Sequence, residues 1–188
     1  MRLVAMALLL AGCAVAPPSP QPMVRPARVE QAAFALNGRI AVRHDGERSS
    51  SSMRWTHHPA EDEILLFAPL GQTVARIRRD AQGVVLDTAD KHYNSQDTEE
   101  LTQRALGWHL PLDGLQYWVL ALPAPGSEAS IERDANGQVS RMRQDGWEIR
   151  YTRYAAPAPD SLPLRMNLQR EDMELQLLID EWEIQQTP

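Results

Sequence analysis

The chain has one thiol, Cys13, and five histidines, and these with its carboxylates are the side chains from which covalent or acid-base chemistry could be built. His44, His57, His58, His92 and His109 do not stand in HxxxH or HxH spacing, so they offer no ready metal site. They read best as solvated loop residues. Glu61, Asp62 and Glu63, and likewise Glu99 and Glu100, fall at turns and at a helix start, where capping and solubility account for them. No Gly-x-Ser-x-Gly, paired-cysteine or phosphate-loop motif occurs, and no nucleophile stands beside a base in a known pattern. The expectation is a protein that is not an enzyme and holds no metal or separate cofactor.

Cys13 is the exception, because its surroundings specify a chemistry. Met1-Arg2 is followed by an apolar run from Leu3 to Ala11, far short of the about 20 apolar residues that span a bilayer. Small residues then precede the cysteine in Leu10-Ala11-Gly12-Cys13, and polar, proline-rich sequence follows at once. The tetrapeptide resembles a bacterial lipobox. Such a motif implies cleavage before Cys13, a thioether-linked diacylglycerol on its sulfur and a further acyl chain on the freed amine. Several chains on one residue anchor a protein stably, where one would bind weakly. Being the sole cysteine, Cys13 leaves no intramolecular disulfide, so the fold rests on its core. Ala14, not aspartate, follows it, which by the usual bacterial sorting rule implies release to the outer membrane.

These features divide the chain into a signal peptide over 1–12, a lipidated cysteine with a proline-rich tether over 13–30, and one domain over 31–188. Net charge is -6, and loss of Arg2 with the signal makes the mature chain more negative, which argues against nucleic acid as a partner.

The elements of the domain follow from alternation. Phe34, Leu36, Gly38, Ile40 and Val42 alternate with more polar positions, the period of a strand with one buried face. Met53 and Trp55 continue it in a second strand, Ile64 to Phe67 form a third, and Thr73, Ala75 and Ile77 a fourth. Asp97 with Glu100 three residues on predicts a helix start, with Leu101, Ala105 and Trp108 on one side. A second helix is expected from Leu112 to Ala121, ended by Pro123. Asn136-Gly137 and Asp145-Gly146 are hairpin turns. Further strands carry Ile131, Val139 with Met142, and Trp147 with Ile149, and the last two run over Leu164 to Leu168 and Met173 to Ile184. The fold expected is mainly β, an antiparallel sheet of about ten strands, a size that tends to curl, with the helices over its open concave side.

Two groups of residues remain. Trp55, Trp108, Trp118, Trp147 and Trp182, with Leu115 and Ile149, all fall on apolar faces, where they suit either a filled core or the wall of an acyl-binding cavity. Pro69-Leu70-Gly71 marks a turn between the third and fourth strands, and turns lie at the surface. Leu70 is then an apolar side chain held in water.

Taken together the mature chain resembles the LolB family of outer-membrane lipoproteins. The matching segments are Phe34-x-Leu36-x-Gly38-Arg39-Ile40-Ala41-Val42, Trp55, Pro69-Leu70-Gly71, and the stretch from Gly107 to Trp118. They continue in order through Leu122-Pro123, Gly146-Trp147 with Tyr151 and Tyr154, Leu162-Pro163, and Ile179 with Trp182. The chain departs from the pattern at Ala121, where glycine is expected, and at Ser51-Ser52, where a glycine often precedes the second strand. The resemblance implies a curved, incomplete antiparallel β-barrel of about ten to eleven strands with helices covering a concave apolar cavity, in a monomer on the periplasmic side of the outer membrane. It would take acylated lipoproteins from a LolA-type carrier and insert them into outer-membrane lipid without nucleotide, with Leu70 as the protruding tip. A lipoprotein that binds a small apolar ligand, and a structural lipoprotein with a filled core, are the alternatives.

Overall fold

In a computed structural model the described residues are Val24, Arg25 and 33–185. Eleven strands form one antiparallel sheet: β1 (Ala33–His44), β2 (Glu47–His58), β3 (Glu61–Phe67), β4 (Thr73–Asp80), β5 (Gly83–Thr88), β6 (His92–Ser95), β7 (Ser130–Arg133), β8 (Val139–Gln144), β9 (Trp147–Tyr154), β10 (Pro163–Arg170) and β11 (Met173–Gln185). Helices α1 (Thr98–Leu106) and α2 (Leu112–Trp118) lie between β6 and β7 in the chain. The order across the sheet is β6-β5-β4-β3-β2-β1-β11-β10-β9-β8-β7, so the first and last strands meet in the middle and β6 and β7 are the open edges. This is the incomplete barrel that the family resemblance implies.

The alternation decides which side is core. Phe34, Leu36, Ile40 and Val42 of β1 are buried, and so are Met53 and Trp55 of β2, Ile64 and Leu66 of β3, and Leu175, Leu177 and Ile179 of β11. Gly38 is demanded by a close approach, since a Cβ there would sit 2.1 Å from the Leu178 carbonyl oxygen. At that level β11 carries a bulge, with Asn37 facing Glu181 and Gly38 facing Ile179. The outer face carries cross-strand ion pairs, among them Arg76 with Glu63 and Arg78 with Asp87.

Three elements differ from the sequence expectation. Helix α2 ends at Trp118, not Ala121, because the chain turns there and Ala121 takes a left-handed φ of 55°. That conformation explains why glycine is expected at this position. A short strand, β6, pairs with β5 where only a loop with His92 is expected. Edge strand β7 is exposed along its whole length, Ile131 included, so its alternation does not mark a buried face.

The helices close the concave side by bridging the two halves of the sheet. Helix α1 packs on β5 and β6, and its Glu99 pairs with Arg170 at the end of β10. The Asp97 side chain accepts from the Glu100 backbone N–H, the N-cap that the sequence predicts. Helix α2 ties to β4 through Asp113 and Arg79, and to β8 through Trp118, whose Nε1 donates to Gln144 Oε1 at 2.9 Å. Gly114 permits this packing, because a Cβ there would lie 2.3 Å from the Trp118 ring.

Candidate functional site

The interior under the helices is the first half of the site. Trp55, Trp108, Trp118, Trp147, Trp182, Leu115 and Ile149 are all buried in one apolar cluster, so the structure brings every interior candidate together. Three indole N–H groups have been given partners as burial requires: Trp118 bonds Gln144, Trp182 bonds the Pro163 carbonyl at 2.8 Å, and Trp55 bonds Asp62 at 2.8 Å. The Tyr151 hydroxyl donates to the Trp118 carbonyl at 2.8 Å, and burial pushes its pKa well above the ordinary tyrosine value. Arg170 lies over the Trp147 ring, 4.5 Å from its centroid. These side chains pack against one another beneath α1 and α2.

The polar contacts that hold the helices down are therefore part of the site, and the sequence reading missed the most buried of them. His57 is 2% exposed and Asp62 1% exposed, not a solvated loop histidine and a turn carboxylate. The reason is the turn between β2 and β3, which is so tight that both strands run up to it and place His57 opposite Asp62, both facing inward. Asp62 Oδ1 accepts from Trp55 Nε1 and lies 2.8 Å from His57 Nδ1, and Oδ2 accepts from Arg79 Nε at 3.0 Å. Burial by itself would raise the Asp62 carboxyl, but His57, Arg79 and Trp55 outweigh it and hold the pKa below the ordinary value. Arg79 continues outward to Asp113 at the start of α2. It thus links a buried carboxylate of the sheet to the first turn of a covering helix. A close register between two strand ends is the signal that could have revealed this pair.

The other histidines divide. His58 and His92 are exposed, as the sequence implies, whereas His44 and His109 are partly buried. His44, Asp45 and Asp172 gather at two neighbouring hairpin turns, with Nε2 3.6 Å from Asp45 and Nδ1 3.6 Å from Asp172. Each carboxylate lies beside a different ring nitrogen, and both are exposed, an arrangement that acidic residues at hairpin turns reach without an ion.

The second half of the site is the β3–β4 connection. Leu70 is 91% exposed, the most exposed large apolar side chain among the described residues. Its turn is held by two backbone bonds, from the Ala68 N–H to the Gln72 carbonyl and from the Gly71 N–H to the Ala68 carbonyl, each 2.8 Å. Gly71 takes φ 81°, and Pro69 precedes Leu70 with its φ fixed by the ring. Leu70 is held out by a rigid turn. Val74 lies beside it at the irregular register between β3 and β4 and is 42% exposed, a neighbour that the alternation did not single out.

Cys13 and the tether from Ala14 to Met23 lie outside the described residues. Where the described chain resumes, Val24 bridges to Ser161, and Arg25 Nη1 donates to the Ala121 carbonyl at 3.2 Å. Among the described residues no helix is long and apolar enough to cross a membrane.

Comparison with known proteins bears on both halves. The family model described as outer membrane lipoprotein LolB matches residues 32–182. An outer-membrane lipoprotein LolB of Chromobacterium violaceum is 38% identical over 182 residues, covering 96% of this chain and 97% of the relative. One from Nitrosomonas europaea is 40% identical over 166 residues, covering 87% of this chain and 78% of the relative. Among solved structures, a LolA superfamily protein of Nitrosomonas europaea superposes with a TM-score of 0.51 at 8% identity, over 88% of this chain and 90% of that one, and so shares the fold. With most of its length matched to the family model and to these relatives, the chain belongs to the LolB family of outer-membrane lipoproteins.

Proposed function

We propose that this protein receives acylated lipoproteins from a LolA-type periplasmic carrier and passes them into the lipid of the outer membrane, without nucleotide. The observation that carries this reading is Leu70, 91% exposed on a hydrogen-bonded turn, in a molecule whose remaining large apolar side chains are mostly interior. An acyl chain in water costs about 0.8 kcal/mol for each methylene exposed, so transfer between proteins needs a covered route. The interior lined by Trp55, Trp108, Leu115, Trp118, Trp147, Ile149 and Trp182 supplies that cover once α1 and α2 lift.

Lifting separates Asp113 from Arg79, Glu99 from Arg170, Arg104 from the Asn94 carbonyl, and the Trp118 indole and carbonyl from Gln144 and Tyr151. The ion pairs open toward water, and the larger cost is exposure of Leu101, Leu112, Leu115 and Trp118, which the acyl chains must cover. Arriving acyl chains then replace apolar side-chain contacts with others of the same kind. The direction of transfer is set by which protein holds the chains more favourably, and that difference in affinity is all that a downhill step requires.

Delivery follows at the other end of β3. Leu70, with Pro69 and Gly71 fixing its turn, enters the acyl layer and brings the interior to the bilayer surface. Cys13, carrying diacylglycerol and an N-linked acyl chain, keeps the monomeric protein on the periplasmic side of that membrane. The Leu70→Glu variant, mixed with cargo-loaded carrier and vesicles, should take up cargo as the parent does and fail to release it into lipid. Release at the parental rate would remove Leu70 from the mechanism. Storage of a small apolar ligand, the nearest alternative, would give uptake without passage of carrier-bound cargo into vesicles.

A further inference from the structure

The outer face of the sheet next to the Leu70 turn is not flat. A concavity of about 350 Å3 is lined by Phe67, Pro69 and Leu178 on its apolar side and by Arg39 and Ser52 on its polar side. A second, of about 540 Å3, adjoins it across β1, β2 and β11, and Ala41, Ser50 and Gln176 line both. They form one groove. Its depth comes from short side chains, Ala41 and Ser50, set between the long side chains of Arg39, Arg43 and Arg48.

The groove is amphiphilic along its length. From Phe67 to Ala75 the chain carries no charged residue, so the end at the turn can leave water without desolvating a charge. The other end is basic. Arg39, Arg43, Arg48 and Arg150 line the groove against Glu148 and Glu174, an excess of two positive charges in a chain of net charge -6. Arg43 is held by Glu174 and Arg150 by Glu148. Arg39 reaches Asp180 only at 3.5 Å, and Arg48 has no ion pair among the described residues. Arg48, and Arg39 with only a long, solvent-exposed contact to Asp180, thus stand beside exposed serine hydroxyls, a donor set suited to phosphate oxygens.

We propose that this groove binds the headgroup of an anionic membrane phospholipid, whose net negative charge, absent from a zwitterionic lipid, sits on its phosphate, with Arg39 and Arg48 as its cationic partners and Ser50 and Ser52 as hydroxyl donors, while Leu70 lies in the acyl layer beside it. The site rests on the reading that Leu70 enters the bilayer, and adds what it lacks: a contact that sets how deep and at what angle the tip sits. A polypeptide ligand fits less well, since the groove runs from an uncharged apolar turn, past Arg39 beside it, to Arg43, Arg48 and Arg150 farther off, so that charge grows with distance from the apolar end as it does in a lipid.

The mature full-length chain carrying Cys13→Ser, which removes the acyl anchor, should sediment with phosphatidylglycerol vesicles more tightly than with phosphatidylcholine vesicles. Arg39→Gln and Arg48→Gln should each cut that preference about fivefold, while binding to phosphatidylcholine stays as in the parent. Arg76→Gln, on the outer face but away from the groove and paired with Glu63, should leave the preference intact. Equal losses in all three variants, or none in the groove pair, would overturn the proposal. So would binding of inorganic phosphate by the chain without vesicles, which assigns the groove to a free anion. Leu70→Gln, which removes the apolar tip without adding charge, separates the two readings, because failure of the tip lowers binding to both vesicle types alike. If its binding equals the parent's on both vesicle types, the tip reading falls while the arginine variants still judge the groove.

Discussion

The two ends of β3 invert the usual rule of burial in opposite senses. At one end Asp62, a carboxylate, is 1% exposed; just past the other, Leu70 is 91% exposed. Burying a charge is tolerated only with close partners, and Asp62 has Trp55, His57 and Arg79. Exposing a leucine forgoes about 1.5–3 kcal/mol of burial, and nothing at the turn compensates for it. The difference teaches how to read each. A buried charge with full partnership is a fastening, here between the sheet and α2 through Arg79. An unpartnered apolar side chain on a rigid turn is a surface kept for something outside the molecule.

Substitution at the two ends should therefore separate stability from function. Asp62→Ala leaves Arg79, His57 and the Trp55 indole facing each other without their acceptor, and should cost about 3–5 kcal/mol in urea unfolding. The same carboxylate makes the fold acid-sensitive. Its native pKa lies below the unfolded value of about 3.9, so its contribution is present above that pH and is lost as pH falls from there through the native pKa. Unfolding curves taken between neutral and acid pH should show that loss in the parent and a weaker one in Asp62→Asn. Ala121→Gly relieves a left-handed alanine at the end of α2 and should raise stability by about 0.5–1 kcal/mol, read as a higher urea midpoint. Leu70→Glu should move stability by no more than about 0.5 kcal/mol, whatever it does to delivery, because the side chain touches so little.

Much of this was legible in the residues. Phe34 to Val42 alternate so regularly that one face of β1 is fixed, Asp97 marks the start of α1, and Pro69-Leu70-Gly71 marks the turn. His57 and Asp62 were not, because two polar residues flanking a turn look solvated unless the register of the strands beside them is known. The tryptophans stand between these cases. Their burial follows from alternation, but whether side chains meet across the interior depends on the curvature of the sheet and the seating of α1 and α2, which no local pattern encodes. Ala121 shows the reverse: a departure from a family pattern exposed a strained backbone position that composition would have passed over.

The proposed transfer requires α1 and α2 to move off the sheet so that acyl chains reach the apolar interior. Hydrogen exchange of the α1 and α2 amides, followed while cargo-loaded carrier is added without nucleotide, tests it directly. The account predicts that exchange in both helices quickens as cargo moves to this protein, while β1 and β11 stay protected. Transfer of cargo with the helices as protected as before would contradict it, and so would cargo that remains on the carrier.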